Sequence, residues 1–190
     1  VMHGFILHYR TWYGDCKIAE IGRKWTCIHA LLCLRGFSVE FIIRSRKMEF
    51  IKLNEGWDAD PNDPVPKVEI DRQLSKIILS FGVNYFIHDN VTEDDVGILE
   101  FFDCYKYRLG STNDHGFYLG QCRFSNTGIV WGDFYNMKES NWEQDFPKDE
   151  IIVDVNLKKS LNNKHYLFYF RDQTFECIAS SYKYKTIRQE

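Results

Sequence analysis

The sequence is short of most features that declare a function. No G-x-x-x-x-G-K-[ST], G-x-G-x-x-G, G-x-S-x-G or H-E-x-x-H stretch occurs. That removes the common phosphate-cradling, dinucleotide, nucleophile-elbow and zinc-protease signatures. No Cys-x-x-Cys pair occurs among the six cysteines at 16, 27, 33, 104, 122 and 177, and their density is far below that of a small secreted scaffold. Apolar runs are short as well: nothing approaches the 18 or so residues of a transmembrane helix, and Gly4–Leu7 is too brief for a signal peptide. A basic excess is also missing. Lys and Arg number 24 against 27 Asp and Glu, a net charge of −3, whereas nucleic-acid binders usually show a basic face. The densest basic group, Arg44, Arg46 and Lys47, reads as a solvated turn.

What is present is an ordinary globular balance with one excess. The 190 residues are 44% hydrophobic and 27% charged, enough for a single domain with its own core. Aromatics reach 16%, with 15 Phe, 11 Tyr and 5 Trp. Cys33, Cys122 and Cys177 fall where core is expected, and buried free thiols behave as small apolar groups. These features predict a soluble, cytoplasmic protein, with no cofactor or metal implied.

Hydrophobic spacing predicts the elements. Residues 4–10 alternate weakly as a strand, and apolar positions from Cys16 to Leu34 recur at three and four, a helical stripe. Residues 37–43 and 48–53 alternate as strands, and the proline-rich stretch 54–67 is a loop. Ile70, Leu74, Ile77, Ile78 and Phe81 predict a second helix, followed by a short strand at Val83–Ile87. Thr92 and the acidic residues after it predict the start of a third helix reaching about Leu109. The last 80 residues read as strands: Phe117–Phe124, Ile129–Phe134, Ile151–Leu157, His165–Phe170 and Thr174–Ile187. Residues 125–128 read as a turn and 136–149 as a polar loop. The predicted fold is a single α+β domain over 1–190. It has a largely antiparallel mixed sheet of about six to eight strands and about three helices mainly on one face. It is helix-rich over 1–110, with an antiparallel meander over 115–187.

One hairpin is predicted in register. A two-residue loop at Asp172-Gln173 sets Phe170 opposite Phe175, Phe168 opposite Cys177 and Tyr166 opposite Ala179, one apolar face. The other face carries His165 and Tyr169, with Tyr169 across from Glu176. If the polar side of strand 151–157 joins it, Asp154, His165, Tyr169 and Glu176 share a sheet face. Carboxylates beside His and Tyr serve acid–base chemistry or hold a polar ligand; a half-solvated antiparallel sheet carries the same residues without any function.

Other constellations are weaker. His88-Asp89 and Asp114-His115 flank opposite ends of the predicted third helix, too far apart to share a site. Asp58, Asp60, Asn62 and Glu69 match four positions of a calcium loop, but Asp63 replaces its glycine and Pro61, Pro64 and Pro66 oppose its winding. Cys27 and His29 point to different sides of a helix. Trp57, Trp131 and Trp142 lie near predicted loops or strand ends, where aromatics anchor interfaces. The stretch His165–Ala179 resembles a phrase of small bacterial proteins and carries no catalytic motif.

The expected function is a soluble accessory protein of bacterial type that binds a small molecule or a protein, with nucleic acid and membrane disfavoured and a homo-oligomer in view. The alternative is a hydrolase-like enzyme built on Asp154, His165, Tyr169 and Glu176.

Overall fold

A computed structural model describes residues 7–11, 14–18, 49–112, 114–138 and 140–188. The chain divides into two compact units, Val1–Lys47 and Met48–Glu190. In the first, β1 (Leu7–Thr11) pairs antiparallel with β2 (Gly14–Ile18). Strand β2 therefore occupies the start of the helix expected from Cys16. The rest of that helix, and the strand expected at 37–43, lie outside the described residues.

The second unit is two antiparallel sheets. Six strands run in the order β3 (Glu49–Lys52), β8 (Phe134–Lys138), β10 (Lys164–Tyr169), β11 (Gln173–Ala179), β7 (Lys106–Ser111) and β9 (Ile151–Ile152). The other four run β12 (Ser181–Arg188), β6 (Asp95–Phe102), β5 (Lys76–Gly82) and β4 (Lys67–Asp71). Inner-face side chains of both sheets form one cluster. Ile77, Leu79, Phe81, Leu99 and Phe101 meet Phe134, Phe168 and Phe175, all at most 1% exposed. Edge-on contacts such as Phe81–Phe168, with centroids 5.2 Å apart at 89°, interlock the layers.

The sheets are joined at a corner where two strands bend together. β6 gives way to β7 across Asp103 (φ 49°), and β11 to β12 across Ser180. The Ser180 hydroxyl donates to Asp103 Oδ2 (2.7 Å) and to the Phe102 carbonyl (3.1 Å), pinning one bend to the other.

Antiparallel, sheet-rich architecture is what the sequence predicts; the helices differ. Helix 70–81 is a hairpin: Asp71 Oδ1 accepts the Gln73 and Leu74 amides, closing a turn after β4. Leu74 stands 65% exposed at its tip, and burial follows every second residue, Ile77, Leu79 and Phe81. The strand expected at Val83–Ile87 is a turn. Helix 92–109 is the β6–β7 pair. The Thr92 amide does bond Asp95 Oδ2 (2.7 Å), as at a helix start, but the chain leaves that turn extended.

The strand expected at Phe117–Phe124 is a short helix, Asp114–Tyr118, followed by turns. Strand β8 begins where Ile129–Phe134 was to end and runs into the expected loop 136–149, which also holds a helical turn, Trp142–Asp145. Strand 151–157 is cut to Ile151–Ile152, because Asp154 caps a 3₁₀ turn, Val155–Lys159. The expected three-helix layer is thus reduced, among the described residues, to these short turns. No helix among them is long and apolar enough to cross a membrane.

Candidate functional site

The β10–β11 hairpin places the expected residues, two positions from the expected register. Its loop is Arg171-Asp172, so Phe168 faces Phe175, Tyr166 faces Cys177 and Leu167 faces Glu176. A shift of two preserves the faces. His165, Leu167 and Tyr169 stay with Glu176 and Ile178 on the side away from the other sheet. That side is covered: Phe117 and Ile129 of segment 114–131 pack on Leu167 and Tyr169, and Phe146 packs on Ile178.

Beneath this cover lies a polar centre whose imidazole and carboxylate are closed off, while its Arg123 side chain stays 34% exposed. Glu176 and His165 are 2% and 1% exposed, with His165 Nε2 3.1 Å from Glu176 Oε2. Arg123 Nη1 donates to both carboxylate oxygens at 2.9 Å. Ser140 Oγ lies 2.9 Å from His165 Nδ1. Burial opposes ionisation of Glu176, but the His165 hydrogen bond and the charges of His165 and Arg123 overcome it. The carboxyl is held below its ordinary value. The rings of Phe124 and Phe146 lie 6.2 and 5.7 Å from the imidazole. Phe124 adopts φ 63° and puts its ring 4.7 Å from the Arg123 guanidinium; such a backbone costs a bulky residue about 1–2 kcal/mol. Turn bonds to the Phe124 carbonyl from Thr127 sustain it.

Tyr169 joins through its hydroxyl, which donates to the Arg123 carbonyl at 2.6 Å, while its ring stacks on Trp131 at 4.7 Å. Burial, then the Glu176 charge, push its phenol far above the ordinary value. Asp154 is not part of the centre. Its oxygens accept Ser75 Oγ (2.7 Å) and the Asn156 amide (2.9 Å), which hold its carboxyl below the ordinary range.

Arg123 and Ser140 escape a sequence reading, since they come from loops 53 and 25 residues from their partners. The one visible clue is that Phe168, Tyr169 and Phe170 are apolar or aromatic on both strand faces, which signals a sheet buried on both sides.

Around the centre, a second ionic fastening holds loop 140–150. Lys106, 4% exposed, reaches Glu150 Oε2 (2.7 Å) and lies 4.3 Å from the Phe146 ring centroid and 5.6 Å from that of Trp142. Arg108 pairs with Asp149 at 2.7 Å. An open depression of about 530 Å³ lies along Ser111, Thr112, Gly116, Gln121, Cys122 and Asp172, beside Arg123 in sequence but not over the His165–Glu176 pair. Burial pushes the Cys122 thiol up.

The tryptophans pack inward. Trp57 stacks on Tyr184 at 4.0 Å and touches Phe81 and Phe168. Trp131 lies between Phe117 and Tyr169, and Trp142 packs on Tyr105. The Asp–His pairs separate too: His88 bonds Asp58 at 3.1 Å rather than Asp89, and Asp114 Oδ1 accepts the His115 amide. The calcium-like carboxylates are spent locally. Asp58 accepts from Asn54 as well as facing His88, and Asp60 accepts the Asn62 and Asp63 amides. Asn54 also reaches Asp133, which pairs with Lys52 at 2.7 Å and accepts the Tyr135 hydroxyl; burial pushes that phenol up to about 12. Among the described residues, no three His, Cys, Asp or Glu converge to hold a metal ion.

Chemically, the chain Ser140–His165–Glu176 has the elements of a proton relay. In the neutral tautomer whose Nε2–H donates to Glu176, Nδ1 accepts the Ser140 hydroxyl. No family model, curated protein or solved structure matches the chain.

Proposed function

We propose that the chain is a binding module that works through its surface, and that the His165–Glu176–Arg123 centre fastens the covering segments 114–131 and 140–146 to the sheet. The carrying observation is closure. His165 and Glu176 are 1% and 2% exposed, and each polar atom of the pair is engaged by another group of the chain. A buried ion pair with complete partners holds one arrangement of the elements that supply it. Cytoplasmic location and self-association belong to the same reading, as does a protein or small molecule as partner.

A second reading, a hydrolase-like enzyme, is favoured by one observation: Ser140 Oγ sits 2.9 Å from His165 Nδ1 with Glu176 behind the ring. Stability does not separate the two, because replacing buried Glu176 unsettles the fold in either case. Turnover does. Wild type and Ser140→Ala are assayed with chromogenic esters, phosphoesters and glycosides. The binding reading expects no hydrolysis that depends on Ser140. Hydrolysis abolished in Ser140→Ala, with folding intact, overturns it.

A further inference from the structure

We infer that the end of the two-sheet unit where loop 84–94 meets loop 54–66, with Phe86, Ile87 and Val65 exposed on carboxylate-rich loops, docks a protein partner through a segment that interleaves apolar residues with lysine and arginine. The inference rests on the binding-module reading and names its surface and partner.

The apolar tip is exposed yet held. Phe86, Ile87 and Val65 are 57%, 64% and 53% exposed. The Phe86 ring lies 4.1 Å from that of Tyr85, and the Phe86 amide is held by Oδ1 of buried Asn84 at 3.2 Å. The two loops form one structure. Ala59 bridges Val83, the Asn84 amide bonds the Asp58 carbonyl at 2.9 Å, and the Gly82 amide bonds the Pro64 carbonyl at 2.8 Å. His88 ties the far side of the tip to Asp58. A pre-positioned apolar tip loses little entropy on docking, and exposed aromatic and aliphatic groups of this kind anchor interfaces.

Charge selects the occupant. Residues 54–66 hold four carboxylates and residues 84–94 hold Asp89, Glu93 and Asp94, with no Lys or Arg in either loop. Glu55, Asp63, Asp89, Glu93 and Asp94 are exposed and have no ion-pair partner among the described residues. Burial, then the charges of Glu93 and Asp60, raise the Tyr85 phenol. Cations at the margin are engaged elsewhere: Arg171 bonds the Asn62 carbonyl and lies 3.8 Å from Asp172, Arg188 pairs with Asp95, and Lys52 pairs with Asp133. The two loops hold seven of the chain's 27 carboxylates and neither Lys nor Arg, so negative charge is concentrated at this end of the unit. Such a surface repels phosphate-bearing partners and attracts a basic protein.

The test uses a displayed library of random 12-residue peptides selected against the full chain. Selected peptides are then measured on wild type, Phe86→Ser/Ile87→Ser and Asp89→Asn/Glu93→Gln/Asp94→Asn, each checked for an unchanged unfolding midpoint. The expected result is enrichment of Lys- and Arg-rich peptides interleaved with apolar residues. Their affinity falls about tenfold or more in both variants and on raising salt. Enriched peptides without basic bias, or whose binding ignores both variants, overturn this surface while leaving the binding-module reading standing. No enrichment overturns the docking proposal, and Ser140-dependent hydrolysis is the separate result that defeats the reading beneath it.

Discussion

At the scale of single residues, Glu176 carries the most energy. Its carboxylate is buried with His165 and Arg123 as partners, so Glu176→Gln leaves a guanidinium and an imidazole short of their acceptor. That costs roughly 2–4 kcal/mol at neutral pH, read as a lower urea midpoint. The pH dependence has a definite sign. The folded carboxyl titrates below the ordinary 4.5, so its contribution is present above pH 4.5 and lost as pH falls through the folded value. The gap between wild type and Glu176→Gln should therefore narrow as pH falls below 4.5, checked by urea unfolding at a series of pH values from 7 downward. His165 and Glu176 were legible as neighbours because strand alternation fixes faces. Asp154 was misplaced because its carboxylate caps the Asn156 amide and turns the chain away.

At the scale of elements, the hairpin was the legible part and the early helices were not. Phe168, Phe175 and Cys177 on one face define β10 and β11 whichever two-residue loop closes them. In β5 and β6, apolar residues fall at both period 2 and period 3.6. The decision belongs to Asp71, whose side chain closes a turn, and to Gly97, whose missing Cβ admits the Phe81 ring. A Cβ at Gly97 would meet Phe81 Cε2 and Cζ at 2.7 Å. Gly97→Ala should cost about 1–3 kcal/mol, seen as a lower denaturant midpoint with an unchanged slope. A second test concerns the loop over β7. Phe146→Ala removes the ring 4.3 Å from Lys106 Nζ and 5.7 Å from His165. It should lower stability by roughly 3–4 kcal/mol in thermal or urea unfolding.

At the scale of the whole molecule, the inner strands of the six-stranded sheet, β10 and β11 above all, are buried on both faces, by the second sheet on one side and by residues 114–131 and 140–146 on the other. This uses the aromatic excess: the rings fill two layers of core, and Trp57, Trp131 and Trp142 pack against them while partly buried. No local pattern reveals a cover drawn from loops, since the bonds that tie it down through Ser140 and Arg123 span 25 and 53 residues of sequence. The exposed tip at 84–87 was hidden for a simpler reason, because Val83–Ile87 has the composition of a strand. Among the described residues, loops 54–66 and 84–94 form an acidic, apolar-tipped end outside the core, where docking is proposed.

The central claim is that the His165–Glu176–Arg123 centre fastens the cover rather than serving turnover. Amide hydrogen exchange on wild type and Glu176→Gln tests it most directly. Amides of 114–131 and 140–146 should exchange at least about tenfold faster in the variant relative to those of β5 and β6, which keep their order. Equal acceleration everywhere, or none in the cover, would contradict it.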